Sequence, residues 1–86
     1  MSTYTLTPQF TRDFQALEPD MSPADLEIFD ALLAAIIRNP QAVQRVQSFY
    51  DPQHPSWLCR SGPFVIHYAF DSQADEVTFI NVFRRR

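Results

Sequence analysis

The side chains with the most chemistry to offer lie in the last thirty residues. His67 stands in the run Phe64 to Phe70, where Phe64, Ile66, Tyr68 and Phe70 alternate with Val65, His67 and Ala69. A strand of that pattern turns its aromatic side toward a core. His67 then shares the opposite face with Val65, roughly 7 Å along the strand. Imidazole is the side chain that changes charge near neutrality, so His67 can serve as a general base or acid, or simply pack half-exposed on the sheet. Arg60, just before the Ser61-Gly62-Pro63 turn, can neutralise a phosphate or form a strand-end ion pair. Arg84, Arg85 and Arg86 can bind RNA phosphates or an acidic polypeptide, or form a solvated tail that discourages edge pairing. Trp57 can stack on a base or anchor a core or interface.

Other chemistries find little support. His54 sits in the loop Asp51-Pro52-Gln53-His54-Pro55 and reads as solvent-facing. His54, Cys59 and His67 lack zinc-ligand spacing, and no metal or other cofactor is expected. Cys59 alternates with Trp57 and reads as a buried thiol. A Cys59–His67 nucleophilic pair would require both to face outward across the turn, with nothing nearby to stabilise a thiolate. A chain with one glycine holds no glycine-rich phosphate loop.

The elements that must position these residues follow from apolar rhythm. Eighty-six residues with 45% hydrophobic and 14% aromatic content suit one domain, 1–86. Such a chain buries only about 60–65% of the surface it exposes unfolded. Thr3 to Leu6 alternates weakly and predicts a first strand. Thr7-Pro8 caps a helix with Phe10, Phe14 and Leu17 on one stripe, ended by Pro19. Ser22-Pro23-Ala24-Asp25 starts a second helix, with Leu26, Phe29, Leu32, Leu33 and Ile36 on its buried side and Asn39-Pro40 as its stop. The short link predicts an antiparallel helical hairpin. Val43, Val46 and Phe49 fit either a short helix or an extended arm. Beyond them the period falls to two: Trp57 to Arg60, Phe64 to Phe70 and Val77 to Phe83 predict three strands joined by tight, hence antiparallel, connections. The expected class is α+β, ordered β-α-α-β-β-β, with the hairpin on one face of a small antiparallel-rich sheet.

Charge is segregated along the chain. All seven basic residues are arginine. Residues 1–30 hold one arginine against six carboxylates, a balance of −5, whereas residues 31–86 hold six arginines against four, a balance of +2. The net charge of −3 argues against indiscriminate nucleic-acid binding but leaves room for a local basic site. The start of the chain lacks a basic n-region and apolar h-region, and the longest apolar run, Ala31 to Ile37, is too short to span a bilayer. A soluble, cytoplasmic protein with no membrane partner is expected.

These elements resemble the RelE/ParE toxin superfamily of bacterial toxin–antitoxin systems. The resemblance covers nearly the whole chain. It rests on the element order, the helix start Phe10-Thr11-Arg12-Asp13-Phe14, the Asn39-Pro40 stop, the segment Trp57 to Tyr68 with its arginine, glycine turn and Ile-His-Tyr ending, and the basic close Val82-Phe83-Arg84-Arg85-Arg86. It implies a toxin held by a cognate antitoxin peptide or protein that lies over its working surface. It also implies one of two targets. RelE- and YoeB-like members cut mRNA in the ribosome with the RNA 2′-hydroxyl as nucleophile, and ParE-like members poison DNA gyrase without that chemistry.

Cleavage requires a base, an acid and cations facing the phosphorane charge. Here the family's strand arginine falls at Val65 or Phe64, its C-terminal His-Tyr pair falls near Arg85 and Arg86, and its lysines have no counterpart. The residues left to carry an endoribonuclease are His67, Arg60 and Arg85. Those left to hold RNA or antitoxin are Arg60, Arg84, Arg85, Arg86 and Trp57. The alternative is a non-enzymatic binding module: a gyrase-directed poison, or a degenerate relative that binds only an antitoxin or itself. A homodimer through the open sheet face or an edge is compatible with either.

Overall fold

Both helices begin where side chains satisfy their first backbone N–H groups, as the computed structural model of the chain shows for residues 2–41, 45–48 and 53–85. The Thr7 hydroxyl accepts from the Phe10 N–H at 3.1 Å and donates to the Ile80 carbonyl at 2.7 Å, so one group both caps a helix and ties it to a distant strand. Ser22 and Asp25 form a reciprocal capping box. The order is β1 (Thr3–Leu6), α1 (Pro8–Leu17), a 3₁₀ turn (Glu18–Asp20), α2 (Pro23–Arg38), β2 (Val46–Ser48), β3 (Ser56–Ser61), β4 (Phe64–Asp71) and β5 (Glu76–Arg84). Pro19 thus lies within a tightened last turn. The expected order gains one strand: Val46 is extended and joins the sheet as β2, while Val43 and Phe49 lie outside the described residues.

The sheet runs β1-β5-β4-β3-β2, with β1 parallel to β5 and every other pair antiparallel. Gly62, at φ +56°, and Pro63 turn β3 into β4 with Ser61 opposite Phe64. That sign of φ suits glycine, and the close passage of Ile28 leaves little room for a Cβ. Register then fixes the faces. Trp57, Cys59, Phe64, Ile66 and Tyr68 point at the helices; Leu58, Arg60, Val65 and His67 point away.

The helix-side core is largely aromatic. Phe29 packs against Phe10, Phe14 and Phe64 at centroid distances of 6.2, 4.9 and 5.8 Å, and Phe10 meets Phe79 at 5.4 Å. Phe64, Ile66, Tyr68, Val77 and Phe79 are fully enclosed. On α2, Phe29, Leu32 and Ile36 are buried and Leu33 is partly so, as the stripe predicts; Ile28 and Ile37 also join the packing.

One irregularity re-aims the end of the sheet. β5 bulges where His67 faces Asn81 and Tyr68 faces Phe79, so Ile80 has no partner on β4. The bulge is held from outside the ladder: Thr7 takes the Ile80 carbonyl, and the Asp13 carboxylate accepts the Val82 N–H at 3.3 Å. Val82 consequently enters the core, while Asn81 and Phe83 turn to the outer face.

Candidate functional site

The outer face divides into a polar row and an apolar groove. The row crosses the three strands at the sheet's centre: His67 Nδ1 lies 2.7 Å from Asn81 Oδ1, and Nε2 lies 2.6 Å from Ser56 Oγ. An amide oxygen only accepts, so Nδ1 carries the hydrogen, and in the neutral ring Nε2 accepts from the Ser56 hydroxyl. This connectivity would activate a serine nucleophile if a substrate could reach it. It is enclosed instead. Ser56 is 3% and His67 7% exposed, so the half-exposed surface histidine expected from the alternation is in fact buried. Both ring nitrogens being engaged, the row serves to pin β3, β4 and β5 in register.

The groove begins one residue pair further along, where Val65 faces Arg60 on one side and Phe83 on the other. It encloses about 530 Å³ between Arg45, Val46, Leu58, Arg60, Val65, Phe83 and Arg85. Val46, Leu58, Val65 and Phe83 give it an apolar lining, and Arg60 and Arg85 stand beside them on the same face, with no carboxylate among the described lining residues. Arg85 is fixed at the backbone, where its N–H donates to the Pro63 carbonyl and extends the ladder past β5. Arg45 touches the groove just before β2, but its guanidinium turns to the helix side, where it donates to the Pro40 carbonyl at 3.0 Å and lies 3.8 Å above the Trp57 ring. A second hollow, at the α1 side of β5, also touches Phe83 and Arg85 but includes Asp13, which makes it a poorer seat for an anion.

Of the residues singled out from sequence, the fold brings Arg60 and Arg85 together and leaves the others elsewhere. Arg84, one position away on a period-two strand, turns to the helix side, where it pairs with Asp25 at 3.4 Å and lies over Phe64. Trp57 packs on the core beneath Arg45. His67 is enclosed beside the groove, and Arg86 lies outside the described residues. Cys59 faces Ile66 within the core and its thiol is pushed up by burial, so the Cys59–His67 pair does not form. Tyr68 donates to the Pro40 carbonyl at 2.7 Å; burial raises its phenol above the ordinary value against the opposing pull of Arg45. Val46, Leu58 and Phe83 line the groove without having been marked as site residues in the sequence. Only the odd spacing Val77, Phe79, Val82 hints that Phe83 leaves the core side.

Among the described residues no cluster of three or more His, Cys, Asp or Glu side chains is arranged to hold a metal, and no helix is long and apolar enough to cross a membrane. No protein-family model matches the chain, and no curated protein matches it in sequence. A solved structure does. The toxin–antitoxin complex RelBE2 from Mycobacterium tuberculosis superposes with a TM-score of 0.75 at 19% identity, over 98% of each chain. A likeness so complete at so low an identity speaks for the fold. With the order β-α-α followed by four strands, this chain has the RelE/ParE toxin fold.

Proposed function

We propose that this chain is the toxin-type partner of a toxin–antitoxin pair, and that it works by binding an anionic partner in the Arg60 and Arg85 groove rather than by histidine-based RNA cleavage. The observation that carries this reading is the groove: Arg60 and Arg85, with no carboxylate among the described lining residues, beside Val46, Leu58, Val65 and Phe83. Its chemistry suits an antitoxin segment whose carboxylates alternate with aliphatic side chains, the former meeting the two arginines and the latter the apolar lining. The structural likeness to a toxin–antitoxin complex supports a partner of that kind.

The endoribonuclease reading keeps one supporting feature. Arg60 and Arg85 converge as cations would around a phosphorane. What weighs against it is His67, whose two nitrogens are engaged within the sheet and whose ring presents no lone pair to a 2′-hydroxyl.

Induced expression with separate readouts of growth, mRNA integrity and DNA supercoiling tests both. Growth arrest with intact mRNA, relieved by Arg60→Ala, is the expected result, and a change in supercoiling would name gyrase as the target. Ribosome-dependent mRNA cuts that disappear in Arg60→Ala and Arg85→Ala would replace this reading with the nuclease. Unimpaired growth and no retention of an antitoxin by the purified chain would remove it.

A further inference from the structure

The large hydrophobic residues left exposed among the described residues fall in two places. Val46 and Phe83 belong to the groove; Tyr4, 55% exposed, and Leu6, 45% exposed, belong to β1 at the far edge of the sheet. From that second group we infer that β1 is a self-association edge, pairing antiparallel with β1 of a second copy of this chain to join two five-stranded sheets. The inference does not depend on the proposed function, since the groove lies on the outer face and β1 contributes nothing to its lining.

The backbone sets the geometry. Thr3 and Thr7 donate their N–H groups to the Asp75 and Phe79 carbonyls, so residues 3, 5 and 7 face β5. By alternation the N–H and C=O groups of Tyr4 and Leu6 face away from the sheet. No other described strand lies on that side. The strand is held ready: Ser2 donates from its N–H to the Ile37 carbonyl and from its hydroxyl to Asp75, and the Tyr4 ring meets Phe79 edge-on at 6.1 Å.

A second copy fits this edge better than an unrelated strand because the edge is complementary to itself. With Thr5 on the two-fold axis, Tyr4 lies opposite Leu6 of the other copy, and the two such pairs exchange four backbone hydrogen bonds. Tyr4 and Leu6 share a face, so each tyrosine meets the partner's leucine and both exposed groups are covered together. The two Thr5 side chains meet on the opposite face, a favourable pair. Charge agrees. The chain carries −3 overall, yet residues 1–11 hold no charged side chain, so two copies meet here without local repulsion. β1 also lacks an internal charge, proline or bulge of the kind that blocks strand addition, whereas β2, three residues long, has Arg45 at its start.

Thr5 is exposed and bonds through its backbone, so it can be changed without disturbing the fold. Sedimentation of the purified chain over a range of concentrations should show a reversible dimer. Thr5→Lys and Thr5→Asp, each placing like charges opposite one another, should raise its dissociation constant roughly fivefold to tenfold. An equimolar mixture of the two should restore association to the wild-type level or beyond. Wild-type protein that stays monomeric throughout would overturn the inference and leave the edge to another partner's strand. So would single variants that dimerise as wild type does, which would place self-association elsewhere.

Discussion

The two faces of the sheet are closed by different means. Against the helices, Phe64, Ile66, Tyr68, Val77, Phe79 and Val82 are enclosed by aromatic and aliphatic neighbours in a period-two pattern. On the outer face, Ser56 and His67 are equally enclosed, but by a hydrogen-bonded polar row, and Val46 and Phe83 are left exposed in the neighbouring groove. Pointing away from the helices is therefore not the same as being available for chemistry. The residue that looked most reactive is a pin, and the accessible surface lies one residue pair along, where the described lining is arginine and apolar side chains.

Substitutions that strike each face in turn can break this comparison. The largest loss belongs to the helix side. Phe29→Ala removes a ring shared by Phe10, Phe14 and Phe64 and should cost roughly 3–5 kcal/mol in chemical denaturation, a large share of the stability of a domain this small. On the outer side, His67→Leu keeps the volume but strands the Ser56 hydroxyl and the Asn81 carbonyl, for a loss of about 1–3 kcal/mol. Adding Ser56→Ala to His67→Leu should cost less than Ser56→Ala alone, because the partner is already gone. If His67→Leu instead kept full stability and lost only biological activity, the pin would be wrong and a catalytic role would return to His67.

How much of this was legible in the sequence follows from the length of each signal. Helix starts are set by local capping chemistry, so Thr7-Pro8 and Ser22-Pro23 fell where expected. The seven-residue alternation from Phe64 fixed which face meets the helices. β2 spans only Val46–Ser48, too short for a period to declare itself, and Val46 enters the groove only because that strand forms. The Ile80 bulge inverts the parity of the last strand, so simple alternation from Phe79 would have sent Asn81 inward and Val82 out. For the site, Arg60 and Arg85 were identifiable as cations and do converge. The divergence of Arg84 was implied by the period but hidden by reading three terminal arginines as one cluster. Burial of His67 depends on Ser56 and Asn81, two polar residues that carry no pattern of their own.

A third substitution separates the faces by pH. Tyr68→Phe loses the hydrogen bond to the Pro40 carbonyl, which Arg45 still serves, and should cost about 1 kcal/mol. The buried Cys59 and Tyr68 both hold their protons more tightly than ordinary groups at 9.0 and 10.0. Raised folded values mean that the unfolded chain releases protons first, so their contribution is complete below those values and is lost as pH climbs through the folded ones. Denaturation midpoints should therefore decline in alkali beginning near pH 9, and Tyr68→Phe should remove the part of the decline that starts near 10. An unchanged alkaline profile would mean that Tyr68 titrates as a surface phenol and that the helix-side core is looser than its packing indicates.

The smallest effect on stability should accompany the largest on binding. Arg60 is exposed on the groove rim, and Arg60→Ala should move the denaturation midpoint by no more than about 0.5 kcal/mol. Against an acidic peptide that reports on the groove, the same substitution removes a charge-assisted contact and should weaken affinity about tenfold or more, with a shallower dependence on salt. Arg84→Ala is the matched control: the same charge is lost from an exposed arginine, but from the side where Asp25 already engages it. If the face of the sheet, rather than net charge, selects the partner, Arg84→Ala leaves that affinity within twofold of wild type. Equal losses from the two substitutions would mean that the basic C-terminal half attracts anions as a diffuse field, and the groove would then have no special claim to be the working surface.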